Sequence, residues 1–123
     1  MSRRKLFDGL TQVFNVDGSS NPPYNTIGGD SPLQWWKSQM GIPSDTNVCC
    51  SMLGCDKEAT DGAHVIDMET GQHVFITPLC HEHNESESPF LVKTEMLVEC
   101  TNVESQRNLV ALNRDKYRNL THR

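Results

Sequence analysis

Two short-spaced doublets of metal-ligating residues constrain this chain more than any other feature. Cys50-Ser-Met-Leu-Gly-Cys55 sets two thiols with four residues between them, and Cys80-His-Glu-His83 sets a thiol and an imidazole with two between them. Twenty-four residues separate the doublets. Pairs of this kind at this separation are the pattern of a closed tetrahedral metal site. Gly54 stands just before the second cysteine, where a tight ligand-bearing turn needs backbone freedom. Thiolates with an imidazole favour zinc over calcium or magnesium. Three thiolates and one neutral histidine leave a zinc site with one net negative charge, which Lys57 and backbone N–H groups are placed to offset. The expected ligands are Cys50, Cys55, Cys80 and His83. Cys49 is an alternative to Cys50, and His81 to His83, although a Cys-x2-His spacing better places both ligands on one side of a first helical turn. Cys100 is expected as a small core residue in a strand, and His73 and His122 as solvated side chains.

The length of 123 residues argues for a single domain. A chain this short buries proportionally less apolar surface than a longer one, so a metal staple is useful to it. The odd count of five cysteines fits a disulfide framework poorly. No stretch of 18 apolar residues is present, so no membrane span is expected. The opening Met-Ser-Arg-Arg-Lys leads into an amphipathic stretch without the apolar core or cleavage site of a secretory signal. The expected location is therefore the cytoplasm, where thiols stay reduced. Charge is unevenly spread. Arg3, Arg4 and Lys5 lie at one end, and Arg107, Arg114, Lys116, Arg118 and Arg123 at the other. Residues 49–100 hold ten acidic side chains against Lys57 and Lys93. Such a surface repels phosphate backbones, so nucleic acid is an unexpected partner for the core.

Residues 5–14 place Leu6, Leu10 and Val13 at helical spacing, which predicts a short docking helix weakened by Gly9. Asn15 to Gly29 reads as a linker or long loop. Asp30-Ser31-Pro32 opens a second helix that Gly41 ends, with Leu33, Trp36 and Met40 on one face and Trp35 pointing elsewhere. Strands are expected at Phe90–Thr94 and Met96–Cys100. Thr101-Asn102-Val103-Glu104 has the form of a capping box, predicting a helix from there to about Tyr117.

Cys50-x4-Cys55, then Asp61-Gly62-Ala63-His64-Val65-Ile66, then Ile76-Thr77-Pro78-Leu79-Cys80-x2-His83-Asn84 resembles the treble-clef zinc fold of HNH endonucleases. The likeness covers residues 49–88. It implies a zinc knuckle, a β-hairpin turning at Met68-Glu69-Thr70-Gly71-Gln72, and a second knuckle that opens a helix. The same pattern is similar to a group of small bacterial proteins, for which it implies a fold and no activity. Carried over by position, the resemblance makes His64 the general base of a nuclease. It makes Asn84 a metal-positioning residue. Apart from the resemblance, Asp61 and Asp67 flank the His64 strand as possible metal carboxylates, and Asp61 would join His64 and Asn84 across hairpin and helix. The central asparagine of the family pattern is missing from Val74-Phe75-Ile76-Thr77, and Glu82, Glu85 and Glu87 stand where that family carries basic residues. A second role for His64 is structural, as a hydrogen-bonded hairpin histidine beside the zinc, and a third is as an alternative zinc ligand.

The expected architecture is α+β. A small zinc-stabilised, treble-clef (ββα-metal-like) core spans residues 49–100, with N-terminal helices and a linker over 1–48 and a C-terminal helix and tail over 101–123. The expected function is a non-catalytic, cytoplasmic protein–protein interaction module that binds Zn2+, by resemblance a bacterial or phage accessory protein. The alternative is a divergent metal-dependent nuclease using His64.

Overall fold

The computed structural model describes residues 9–17 and 31–122. Within them lie strand β1 (Leu10–Asn15), helix α1 (Pro32–Met40), strands β2 (Asp61–Asp67) and β3 (Val74–Leu79), and the short helix α2 (His81–Asn84). Strand β4 (Phe90–Lys93), a 3-10 turn (Thr94–Met96), strand β5 (Val98–Glu99), and helices α3 (Val103–Leu112) and α4 (Arg114–Thr121) follow. The protein is α+β: the five strands form one antiparallel sheet in the order β4-β1-β2-β3-β5. Among the described residues, no helix is long and apolar enough to cross a membrane.

Three sequence expectations are corrected here. The stretch expected as a helix over 5–14 contains β1 instead, its residues 5–8 lying outside the described ones. β1 pairs with β4 on one side and β2 on the other, so a segment assigned to the N-terminal flank is an inner strand of the sheet. Thr11, Val13 and Phe14 are β-branched or aromatic and suit a pleated, covered surface. Second, the run Met96–Cys100 is a strand only at Val98–Glu99, because the 3-10 turn occupies Thr94–Met96. Cys100 follows β5 and donates its N–H to the Val74 carbonyl. Third, the C-terminal helix is two helices meeting at Asn113, and its N-cap is Asn102, whose side chain accepts from the Ser105 N–H. The loop expected over 15–29 falls mostly outside the described residues.

Alternation along β1, β2 and β3 sorts the core onto two sides of the sheet. Val13, Ala63, Val65 and Phe75 face one side, with Cys50, Cys80, Phe90 and Val92. Phe14, Ile66 and Val74 face the other, under Leu109 of α3. On that second side Ile76 meets Trp35 and Trp36 of α1. Ala63 to Asp67 are therefore all buried, since both faces of β2 are covered. Helix α1 begins as expected, with the Ser31 side chain accepting from Gln34 N–H and Pro32 in the first turn, and Gly41 ends it at φ 73°. Trp36 is fully buried and its indole N–H donates to the Met96 carbonyl at 2.9 Å. Trp35 is buried too, whereas Met40, expected on the same face as Trp36, is 39% exposed.

Gly62 sets how closely α1 approaches β2. A Cβ built there would lie 2.3 Å from the Leu33 backbone nitrogen and 2.6 Å from the Pro32 carbonyl carbon. Only a residue without a side chain permits that contact. The hairpin turn after β2 is organised by Asp67, which is 2% exposed. Its carboxylate accepts from Thr70 N–H (2.8 Å), Thr70 O–H (2.7 Å) and His73 N–H (3.0 Å). Burial alone would push this carboxyl up. The Thr70 and His73 bonds outweigh it and hold the group below its ordinary value. Asn113, 1% exposed, pairs both ways with the Asp17 backbone: its Oδ1 accepts from Asp17 N–H and its Nδ2 donates to Asp17 O. That pairing fastens the end of β1 to the α3–α4 junction.

Two outcomes follow. Gly62→Ala should cost about 1–3 kcal/mol, the range for forced overpacking, read by denaturant unfolding followed through tryptophan fluorescence. Gly9→Ala, with no atom within 4 Å of its Cβ position, should be neutral by comparison. Asp67→Asn should cost about 1–3 kcal/mol at pH 7, the range for bonds to a charged group. Because the folded value is lowered, the Asp67 contribution is complete above the ordinary 3.8 and is lost as pH falls through the folded value. Unfolding curves of the two proteins should therefore converge in strong acid.

Candidate metal centre

The first doublet sits in a loop held at both flanks. Cys50 N–H donates to Lys57 O at 2.8 Å, and Cys49 bridges Glu58, so residues 49–58 close on themselves. Gly54 takes φ 85°, and Cys55 N–H turns back to Met52 O at 3.0 Å. This brings the second thiol under the first. The loop is tied across the sheet. Ser51 N–H donates to Pro78 O of β3 beyond the reach of β5, while Lys93 N–H of β4 donates to Ser51 O and Leu53 N–H to Leu91 O. Ser51 and Thr77 hydroxyls meet at 2.8 Å. The knuckle thus bridges β3 and β4 over the core side that holds Cys50 and Cys80.

The second doublet lies where β3 runs into α2. Cys80 is the N-cap residue, extended at φ −71° and ψ 161°, and Asn84 N–H closes the single turn on Cys80 O. His83 Nδ1 then lies 3.3 Å from Cys80 Sγ and 3.6 Å from Cys50 Sγ. The ligand atoms of Cys50, Cys55, Cys80 and His83 all lie within 4.8 Å of one another, and these four can hold a metal ion. Cys50 and Cys80 are buried, Cys55 and His83 half-buried. Burial pushes the Cys50 thiol up to about 11, against the pull of the Cys80 and Met52 backbone N–H groups aimed at its sulfur.

The alternative ligands fall elsewhere. Cys49 is exposed. His81 binds carboxylates: its Nδ1 lies 3.1 Å from Asp61 and its Nε2 3.2 Å from Glu85. The Asp61 bond, with Glu85 alongside, raises the imidazole above its ordinary value. Lys57 spans the two doublets through a 2.6 Å contact with Glu82, and Glu82, then Cys80 and Cys55, raise its ammonium. Cys100 is apart from the cluster, its thiol pushed up to about 12 by burial. His73 is half-exposed beside Asp67 at 3.6 Å, and His122 is exposed.

The residues singled out for catalysis divide. Asn84 Nδ2 donates to Asp61 Oδ2 at 2.9 Å, so those two meet. Burial raises the Asp61 carboxyl, and the Asn84, His81 and Thr60 bonds more than reverse it. His64 is 5% exposed and is the cross-strand partner of Ile76, on the face that α1 covers. Asp61 shares its side of β2 with Ala63 and Val65, so the strand's alternation separates it from His64. Sequence reasoning missed Asn15, whose side-chain amide donates to His83 O and Ser86 O. It is the first residue of the stretch read as a linker or long loop, and no spacing marks it.

Comparison of the chain with protein-family models, with characterised proteins and with solved structures finds no match.

Single substitutions separate the ligand set from its neighbours. Cys55→Ser, Cys80→Ser and His83→Ala should each abolish stoichiometric metal retention in elemental analysis of the purified protein. Cys49→Ser and His81→Ala should retain it in full.

Proposed function

We propose that the chain is a zinc-stapled, non-catalytic protein–protein interaction module. The observation that carries the metal reading is the convergence of three sulfurs and one imidazole nitrogen from two chain segments within 4.8 Å. Zinc bonds of about 2.3 Å to sulfur and about 2.0 Å to nitrogen set tetrahedral edges of about 3.5–3.8 Å. The His83 distances of 3.3 and 3.6 Å to two sulfurs lie close to those edges. A Cys3His shell fills all four positions, which fits a structural role and leaves no open position for Lewis-acid chemistry.

The order of a ligand loop, the β2–β3 hairpin and a ligand-bearing helix start supports a treble-clef-like, HNH-like core. The helix ends after Asn84, however, and β1 and β4 extend the sheet beyond such a motif. The nuclease reading draws on the Asp61–Asn84 contact alone. Its general base, His64, is buried on the far side of β2, and Glu82, Glu85 and Glu87 lie along and just beyond α2, where a phosphate would have to approach. Interaction is favoured by Leu53 and Leu91, exposed at 51% and 39% and joined by a backbone bond on the knuckle's outer rim.

The metal's free energy of binding is folding free energy when the site exists only in the folded chain. Chelator treatment should therefore abolish the cooperative thermal transition seen by circular dichroism, and added zinc should restore it. A chain that melts with an unchanged transition after its zinc has been shown to be gone would overturn the structural role. Plasmid cleavage by the zinc-loaded protein with magnesium or manganese, lost in His64→Ala, would instead promote the nuclease.

A further inference from the structure

Asn15 lies on β1, far in sequence from both doublets, and is 6% exposed. It pairs with Val65 across β1 and β2, and alternation puts its side chain on the same side of the sheet as Val13 and the cysteines. Both protons of its amide are committed to α2 and the residues just after it. Nδ2 donates to His83 O at 2.9 Å and to Ser86 O at 3.0 Å. A four-residue helix cannot hold its own geometry through cooperativity. Its other ties include the Asn84 N–H at Cys80 O, the Glu85 and Ser86 N–H groups at Glu82 O and His83 O, the Lys57–Glu82 ion pair, and the surface bonds of Asp61 to Asn84 and His81. Of these ties, the Asn15 amide is the one that joins the His83 main chain to the sheet. The strand is fixed in turn from the other side. Lys116 Nζ of α4 donates to Asn15 O at 2.8 Å, lies 3.6 Å from Glu87, and sits 5.9 Å above the Phe14 ring.

We propose that Asn15 is the positioning residue for the ligand His83: it holds the His83 carbonyl so that Nδ1 faces the three sulfurs. This rests on the metal reading above. The physical logic is that of the groups behind metal ligands, which orient a ligand without touching the ion and whose loss typically weakens metal binding about 10–100-fold. The effect is local to the ligand, so it separates from general stability.

The test compares Asn15→Leu with Asn113→Leu. Both delete a buried amide that bonds to backbone carbonyls, but Asn113 serves Asp17 and Leu109 instead of a metal ligand. Zinc affinity is measured by competition with a chromophoric chelator, and ligand geometry by the visible bands of the cobalt-substituted protein. Asn15→Leu should bind zinc about 10–100-fold more weakly and shift the cobalt bands. Asn113→Leu should lower the unfolding midpoint while keeping wild-type affinity and spectrum. Should Asn15→Leu fail to fold, Asn15→Ser retains one donor and should show the same change at smaller size. Wild-type affinity in the folded Asn15 variant, or equal weakening in both variants, overturns the positioning role. A wild-type protein without thiolate-to-cobalt charge-transfer absorption would overturn the metal reading itself, and so marks the two failures apart.

Discussion

Everything near the cluster depends on two segments that are too short to be stable alone meeting over one side of a sheet. A ten-residue loop and a single helical turn have no core of their own, and isolated turns of helix are marginal in water. What fixes them is backbone bonding to β3 and β4, the Asn15 amide, and the mutual approach of four ligand atoms. The knuckle does more than present two thiols. By binding Pro78 of β3 and both Leu91 and Lys93 of β4, it roofs the side of the sheet where Val13, Val65 and Phe75 are packed. Ligand geometry and core burial are thus a single arrangement. A disturbance at Cys50, itself part of that core, reaches the apolar cluster directly.

The cluster of Cys50, Cys55, Cys80 and His83 was legible because its information is local. Two short spacings and a glycine before Cys55 state it without reference to the rest of the chain. Helix α1 was legible for the same reason, through Ser31, Pro32 and Gly41. β1 was not. Leu6, Leu10 and Val13 imitate helical spacing, while the strand's own alternation is erased because Val13 and Phe14 are both buried, on opposite faces of a sheet covered on both sides. The break at Asn113 was hidden too, and the Asp17 bonds made at that residue exist only in the tertiary structure. The two tryptophans show the same limit: Trp35 and Trp36 are both taken in by Ile76 and its surroundings, which no helical wheel of α1 displays.

The far side of β2 shows how closely α1 covers the histidine that the family resemblance singles out. Gly62 is where α1 rests on the strand, and His64 lies two residues on, along the same face. A helix seated within contact distance of Gly62 occupies the approach to that face. Asp61, Asn84 and His81 form their own network on the opposite side, and it closes the junction between the strand and α2 through bonds already satisfied within the protein.

The position of β1 between β4 and β2 also sets an order on how the chain can be assembled. Its first neighbour, β2, is complete once Asp67 has been made, and the partnership of Phe14 with Ile66 can then form. Its other edge must wait until Phe90–Lys93 has been added, because Leu10 pairs with Lys93 across about two thirds of the chain. Throughout that interval β1 presents an unpaired edge carrying Val13 and Phe14, the kind of edge on which strands of other chains add. Contacts this distant in sequence also slow folding, since loop closure comes before its reward. The span 68–89 that separates the two partners of β1 is also the one that carries Cys80 and His83.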